Sequence, residues 1–147
     1  MSFLSSLNIS SSGLTAQRLR LDVASENIAN VETTRTAEGT PYRRKMVVLQ
    51  SKEENFSSVL NRTMQGKNSA YNGGVIASAI VDDETELKAV YDPEHADADE
   101  NGYVRMPNVD MIKETTDAMA ASRSYEANLT AFNAVKLMAQ KAMEIGK

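Results

Sequence analysis

The acidic segment at residues 92–102 carries the opening pattern of a calcium-binding loop. In such a loop, oxygen-bearing side chains alternate along the chain and a glycine follows them at a sharp turn. These positions are filled by Asp97, Asp99, Asn101 and Gly102. The twelfth position, which should supply a bidentate glutamate, is Asn108, and Pro93 stands where an entering helix would run. We interpret the segment as an Asx-rich turn between two strands, with Asn101-Gly102 at positive φ. The alternative function is that of a soluble calcium- or ligand-binding module that uses the acidic loop at residues 92–102.

His95 is the only histidine of the chain and lies beside Glu94. An imidazole next to a carboxylate can act in general acid–base catalysis. No nucleophile motif accompanies the pair, and Gly73-Gly74 does not extend into a glycine-rich phosphate loop. We therefore expect His95 to be a turn residue. No catalytic residue, cofactor or metal site is predicted, and an enzyme is not expected.

Composition limits the possible classes of protein and partner. Of the 147 residues 5% are aromatic, and both Trp and Cys are absent. One large core is therefore not expected, and neither disulfides nor thiolate metal sites are available. The net charge of −4 offers no general attraction to nucleic acid or anionic lipid. No run approaches the ~20 apolar residues that span a bilayer, so membrane insertion is not expected.

The first residues, MSFLSSLNISSSGL, lack the features of a secretory signal. Such a signal has a basic start, a continuous apolar stretch and a small-residue cleavage site. A chain without cysteine suits a destination outside the reducing cytoplasm. Export would then need a route that does not use a cleaved signal.

Apolar residues recur every seven positions near the N-terminus. They are Leu7, Leu14, Leu21 and Ile28. A seven-residue repeat predicts a helix with a coiled-coil seam. Ser12 is the predicted N-cap, because its hydroxyl can accept an orphan backbone N–H, and the continuous helix is predicted at 14–30.

The C-terminal segment from Val109 contains no proline, and its only glycine is Gly146. A frame of alternating three- and four-residue steps passes through Met111, Thr115, Ala118, Ser122, Tyr125, Leu129, Phe132, Lys136, Ala139 and Met143. This frame predicts a second long helix with its own seam. Asn108 is the predicted cap, and Asp110 favours the helix dipole in the first turn.

The residues between the helices follow a different pattern. Four stretches with β-branched or alternating residues predict short antiparallel strands, at 42–50, 73–83, 85–93 and 101–107. The polar residues 51–72 are interpreted as a loop with one helical turn at most. The sequence thus predicts an α+β fold in which two long helices form a coiled-coil-like layer around a small antiparallel β module. The predicted parts are the N-terminal helix with its exit segment, the middle module and the C-terminal helix, at 1–34, 35–107 and 108–147.

The seam of the N-terminal helix is too small to hold that helix alone. Ordering about 17 residues costs more backbone entropy than the few apolar seam side chains regain on burial. Isolated helices of this length are marginal in water. We therefore expect the two helices to need each other and to leave one flank exposed when paired. We also expect both ends to be poorly ordered in the free monomer and to become firm in an assembly.

Two asparagines, Asn27 and Asn30, lie near the predicted end of the first helix. A buried Asn27 could fix the register of a coiled coil. Asn30 is interpreted as a helix C-cap that tolerates the left-handed conformation. The alternative, two exposed polar residues on a fraying helix end, agrees with the sequence equally well.

Charge is distributed unevenly along the chain. Residues 82–100 contain nine acids and one lysine, whereas residues 35–67 contain seven basic residues and three acidic ones. We interpret the two regions as solvated faces. The alternative is that the basic region of one subunit meets the acidic loop of its neighbour in a head-to-tail contact.

Several segments resemble the bacterial flagellar axial proteins, and the rod proteins of the basal body in particular. SGLTAQRLRLDVASENIANVETTRT resembles their N-terminal motif, in which a helix ends in Asn-Ile-Ala-Asn before threonines. GTPYRRKMVVL, DPEHADADENGYVRMPNVD and AASRSYEANLTAFNAVKLMAQKAMEI resemble, in the same order, later segments of the short proximal-rod members. Two departures are Ala96, where the family usually has proline, and Thr115-Thr116, where a methionine is common.

The resemblance implies a structural subunit of the periplasm-spanning rod, which transmits torque for motility. Its partners would be other rod proteins, copies of itself and the flagellar type III export apparatus. The location would be the basal body, reached without a cleavable signal peptide. Subunit packing would involve residues of both terminal motifs, namely Leu7, Leu14, Leu21, Asn27, Ile28, Asn30, Tyr125, Asn128, Leu129, Phe132 and Met138.

Overall fold

Two long helices and four short strands make up the described part of the protein. The computed structural model describes residues 3–52, 60, 64 and 73–145. In chain order the elements are α1 (Phe3–Ala29), β1 (Lys45–Ser51), β2 (Val75–Asp82), β3 (Lys88–Tyr91), β4 (Tyr103–Met106) and α2 (Met111–Ile145). The predicted α+β class and the four predicted strands are confirmed. Most of the predicted loop at 51–72 lies outside the described residues.

Helix α1 begins earlier than the sequence pattern predicts. It starts at Phe3, so Ser12 lies inside the helix and its predicted role as N-cap is wrong. The Ser12 hydroxyl donates to the carbonyl of Ile9 and accepts the N–H of Val75. Serines in mid-helix are tolerated when such bonds satisfy their hydroxyls. Ser12 therefore docks the start of β2 on the helix.

Helix α2 begins at the predicted place but with a different cap. The Asp110 carboxylate accepts the N–H groups of Ile112 and Lys113 at 3.0 and 3.4 Å, as an N-cap does. The predicted cap, Asn108, instead accepts the N–H of Arg44 and donates to the carbonyl of Asp83. That prediction was wrong because two neighbouring residues, Asn108 and Asp110, are both good caps and tertiary contacts use the first.

The two helices pack side by side in antiparallel directions. Gly13 of α1 lies against the side chain of Asn128, and Asn27 of α1 is hydrogen-bonded to Glu114 of α2. Asn27 follows Gly13 by 14 residues, and Glu114 precedes Asn128 by 14 residues, so one register runs along the whole contact. The pairing that the sequence predicts is therefore present within one chain.

The seam of α2 agrees with the predicted frame in part. Five half-buried residues belong to both, namely Ala118, Ser122, Tyr125, Phe132 and Ala139. At three other frame positions the frame is wrong by one residue, since Thr115, Leu129 and Lys136 are exposed. Glu114 and Ala121 are buried instead, with 2% and 1% of their surfaces exposed. The pattern misleads because the true seam contains a glutamate and small residues, which carry no hydrophobic signal.

The strands form two separate antiparallel hairpins. In the first, β1 pairs with β2 from Lys45 opposite Asp82 to Ser51 opposite Val75, with an irregularity between Val48 and Leu49. In the second, β3 pairs with β4 from Lys88 opposite Met106 to Tyr91 opposite Tyr103. A two-stranded hairpin is marginal by itself. Each hairpin therefore depends on the segments packed around it.

Gly74 allows β2 to approach α1 closely. Its φ is +101°, a conformation that favours glycine, and a Cβ on this residue would overlap the Ser12 hydroxyl. Gly39 has a φ of +78°, but a Cβ there would meet nothing within 4 Å. A side chain would therefore strain the backbone at both glycines, but it would collide with another residue only at Gly74.

Replacing Gly74 with Ala is expected to lower the free energy of unfolding by about 2–3 kcal/mol, because backbone strain and a steric overlap add. Gly39→Ala is the matched control and should cost only about 1 kcal/mol of strain. Urea denaturation followed by circular dichroism measures both. Equal losses in the two variants would contradict the close packing of β2 on α1.

Candidate assembly site

Asn27 connects both helices with the start of β1. Its Oδ1 accepts the Tyr42 hydroxyl and the Lys45 N–H, each at 2.9 Å. Its Nδ2 donates to the Lys45 carbonyl and to Glu114 Oε2, each also at 2.9 Å. The side chain is 1% exposed, and all four of its hydrogen bonds are made. One carboxamide thus ties three segments that are distant in sequence.

Glu114 receives a second partner from the β module. Arg44 Nε donates to Glu114 Oε1 at 2.6 Å, and the two side chains are 11% and 3% exposed. The remaining Arg44 nitrogens lie 3.5 Å from Asp83 and 3.4 Å from Asp117. Because a buried charge is costly unless it is paired, this set of bonds holds only when α1, β1 and α2 are all in place. We call Asn27, Tyr42, Arg44 and Glu114 the junction cluster.

Charge and burial shift the pKa values of three groups at the junction. Burial raises the pKa of Tyr42 to about 12, and the charges of Glu26, Asp82 and Glu114 add to the effect. Burial disfavours the charged form of Arg44, but its bond to Glu114 and the neighbouring carboxylates raise its pKa overall. The Thr85 N–H and hydroxyl hold the pKa of Asp83 below its ordinary value, with a smaller contribution from Arg44. Tyr42 therefore remains a hydrogen-bond donor well above neutral pH.

Asn30 follows α1 directly and caps it through its side chain. Its Nδ2 donates to the carbonyl of Glu26, and its Oδ1 accepts the Thr33 hydroxyl. Asn30 thus caps the helix without adopting the left-handed conformation that it would tolerate, since no described residue other than glycine has positive φ. The side-chain bond makes a left-handed turn unnecessary at this helix end. Of the Asn101-Gly102 pair, Gly102 alone has positive φ.

The structure divides the sequence-predicted packing residues into two groups. Half-buried along the paired helices are Leu7, Leu14, Leu21, Ile28, Tyr125, Asn128 and Phe132. Leu129 and Met138 lie on the open side of α2, with 42% and 63% of their surfaces exposed. Other large apolar side chains exposed near the same end of the helix pair are Leu4, Leu137, Met143 and Ile145. We call Leu129, Met138 and these four residues the open apolar flank.

The residues of the candidate calcium loop bind other partners. Asp99 Oδ1 accepts the N–H groups of Asn101 and Tyr103, which is an Asx-type turn, and Gly102 has a φ of +80°. Asp97 binds the Thr34 hydroxyl at 2.8 Å. Within residues 3–52, 60, 64 and 73–145, no three His, Cys, Asp or Glu side chains are grouped as metal ligands.

The lone histidine also belongs to this turn. The Asp97 N–H donates to His95 Nδ1 at 3.1 Å, which is a local bond two residues apart. The basic and acidic regions meet in part within one chain, since Arg35 lies 3.7 Å from Asp97 and Arg44 lies 3.5 Å from Asp83. A head-to-tail contact is therefore not needed to satisfy these charges.

The junction residues other than Asn27 were missed by the sequence analysis. Tyr42 and Arg44 were assigned to a strand, and Glu114 lay outside the predicted seam frame. The available signal was Glu114 itself, a charged residue in a row of apolar and small residues, because a buried charge requires a partner.

None of the described helices is long and apolar enough to cross a bilayer.

Two family models match the terminal parts of the chain. "Flagella basal body rod protein" matches residues 7–35, and "Flagellar basal body rod FlgEFG protein C-terminal" matches residues 100–145. These ranges contain α1 from Leu7 onward with its exit segment, and α2 with the strand before it. Helices and matches together define the class, a flagellar basal-body rod protein.

Curated relatives narrow the class to one kind of rod protein. The chain is 54% identical to the flagellar basal-body rod protein FlgC of Bacillus subtilis, with all of both chains covered. It is 42% identical to the FlgC of Borreliella burgdorferi over 99% of this chain and 98% of that one, and 37% identical to the FlgC of Salmonella typhimurium over the full length of both. The chain belongs to the FlgC family of flagellar basal-body rod proteins. It is a structural subunit of the rod, assembles with other rod components and is located in the basal body.

Replacing Asn27 with Ala is expected to lower the free energy of unfolding by roughly 3 kcal/mol, because buried groups of Tyr42, Lys45 and Glu114 lose partners. Asn30→Ala is the matched control, which loses one exposed cap and should cost about 1 kcal/mol or less. Chemical denaturation of both variants provides the comparison. A loss at Asn27 no larger than at Asn30 would show that the four bonds do not hold the junction.

Alkaline titration should weaken the junction through Tyr42. The folded state raises the pKa of this phenol, so its stabilising contribution is complete below pH 10 and is lost as the pH rises toward 12. We expect Tyr42→Phe to remove that part of the pH dependence of unfolding. Tyr91→Phe, at an exposed tyrosine, serves as the control. Identical alkaline profiles for the wild type and Tyr42→Phe would contradict the buried hydrogen bond.

Proposed function

We propose that the chain polymerises through α1 and α2 into the periplasm-spanning rod and thereby helps to transmit torque. The observation that carries this proposal is the open apolar flank. Large apolar side chains that a helix pair leaves in water favour burial against another protein. Here the flank lies on the two elements that the family models match.

The flank is a product of the antiparallel register. Since Gly13 faces Asn128, the first described residue of α1, Phe3, faces the region of Met138. The last turns of α2, up to Ile145, therefore extend beyond the described start of α1. Leu137, Met138 and Met143 have 59%, 63% and 68% of their surfaces exposed. Burying each of them against another subunit would contribute about 1.5–3 kcal/mol.

Shared helix contacts suit a shaft that carries torque. A tube whose subunits contact neighbours along whole helices resists shear better than one held by point contacts, because many close-packed side chains must move together. Methionines at such a surface adapt to neighbours of different shape. The rod subunits beside this chain would include other rod proteins and copies of itself.

The proposed route to the periplasm is the flagellar type III export apparatus, without a cleaved signal peptide. The absence of cysteine and the low aromatic content support passage through a narrow channel, since a chain with a small core unfolds at low cost. We propose in addition that this structural role includes no enzymatic step. The expected poor order of the helix ends in the free monomer stays a prediction.

Leu129→Asp should abolish motility while leaving the monomer folded, because Leu129 lies outside the α1–α2 seam and on the open apolar flank. A charge there would have to be desolvated in the assembled rod. Thr130→Asp, at the next and also exposed residue, is the matched control and should swim. Swimming is scored in soft agar after chromosomal replacement, and circular dichroism of the purified variants reports on folding. Normal swimming of the Leu129→Asp strain would remove the flank from the mechanism.

A further inference from the structure

Several positions of the α1–α2 seam carry small side chains, which do little to set the register by shape. Gly13, Ala16 and Ala24 on α1 meet a row on α2 that includes Ala118 and Ala121. Small side chains present similar surfaces after a shift of seven residues, which is the repeat of a coiled-coil seam. The register must therefore be specified by the larger and polar residues of the seam.

A shift of one repeat would give Glu114 a different partner. Arg20 precedes Asn27 by seven residues on the same face of α1, so the shift would place Arg20 where Asn27 now meets Glu114. Arg20 already lines the same 210 Å³ cavity as Glu114, and among the described residues its guanidinium donates to Gln17 alone, at 3.2 Å. An arginine–carboxylate pair would stabilise this shifted register.

In the observed structure, two other donors already bind the Glu114 carboxylate and compete with Arg20 for it. Arg44 Nε binds Glu114 Oε1, and Asn27 binds Oε2, so each carboxylate oxygen already has a donor in the observed register. Arg44 would move with α1 in a shift, because the backbone of the next residue, Lys45, is held by Asn27 of that helix, and it would then no longer lie beside Glu114. The β module thus brings a fixed cation to one position on α2.

We propose that Arg44 is a positioning residue that sets the register of the α1–α2 pair by holding Glu114 against Asn27 and denying it to Arg20. A single buried polar contact is known to specify register in coiled coils at some cost in stability. The register determines which residues of α2 project beyond α1. By setting the register, Arg44 therefore determines which side chains belong to the open apolar flank, although it is not one of them. The inference concerns contacts within one chain and does not depend on polymerisation.

Thiol pairs can report the register, since the chain has no cysteine of its own. Ala16→Cys with Tyr125→Cys matches the observed register, and Ala16→Cys with Ala118→Cys matches the register shifted by seven residues. A disulfide forms only when the two Cα atoms come within about 7 Å. Mild oxidation of each purified full-length variant, followed by gel electrophoresis and mass spectrometry, measures the two yields.

We expect the 16–125 disulfide to dominate when Arg44 is present. Arg44→Gln should raise the ratio of the 16–118 to the 16–125 disulfide by about tenfold or more, because Glu114 then binds Arg20. Arg43→Gln is the matched control, since Arg43 is exposed and donates to the carbonyls of Asp83 and Thr85. Its ratio should equal that of the wild type.

A double variant keeps the test independent of how stable Arg44→Gln is. Arg20→Gln added to Arg44→Gln removes the competing cation, and the ratio should return toward the wild-type value. Arg44→Lys, which keeps the charge, should give an intermediate ratio. The proposal is overturned if Arg44→Gln forms only the 16–125 disulfide or neither disulfide. It is equally overturned if the shifted disulfide persists in the double variant.

Discussion

The pair of hydrogen bonds between the Asn27 side chain and the Lys45 backbone is the contact on which the other tertiary contacts depend. A carboxamide offers a donor and an acceptor side by side, as a peptide group does, so it binds the edge of β1 as a neighbouring strand would. The bonds are partly buried, and losing one leaves polar groups with fewer partners. With β1 fixed in this way, Tyr42 and Arg44 reach Asn27 and Glu114, and the two helices are joined at one end.

The two ends of the helix pair are built on different physical principles. At the junction cluster, polar groups are buried and every bond of Asn27 is satisfied, which gives geometric specificity. At the opposite end, large apolar side chains such as Met143 and Ile145 remain in water, with 68% and 85% of their surfaces exposed. Polar networks specify a unique arrangement, whereas apolar surface supplies affinity that is not directional. The junction cluster therefore specifies the fold of the monomer, whereas the exposed apolar side chains remain available for contact with another protein.

Local periodicity and turn chemistry predicted most of the fold. The helices and strands were found because their apolar residues follow periods of seven and two, and the turn at Asn101-Gly102 was found because Gly102 needs positive φ. The true seam of α2 could not be found in this way, since Glu114 gives a polar signal at one of its two buried positions. Its partner Arg44 is 70 residues away in the sequence, and local patterns give no information about contacts at that separation. The long early part of α1 was missed because Ser12 favours caps in isolation, and only its bond to β2 explains its place in mid-helix.

The antiparallel pairing of the helices also determines where the protein can carry a label. Phe3 and Ile145 lie near the same end of the pair, so a fluorescent protein or affinity tag fused at either terminus would crowd the surface proposed to contact neighbours. The turn around Gly39 faces solvent, and an added side chain there would meet no atom within 4 Å. A short epitope inserted at this turn would stand clear of both helices. Antibody or gold labels could then mark the subunit in isolated basal bodies.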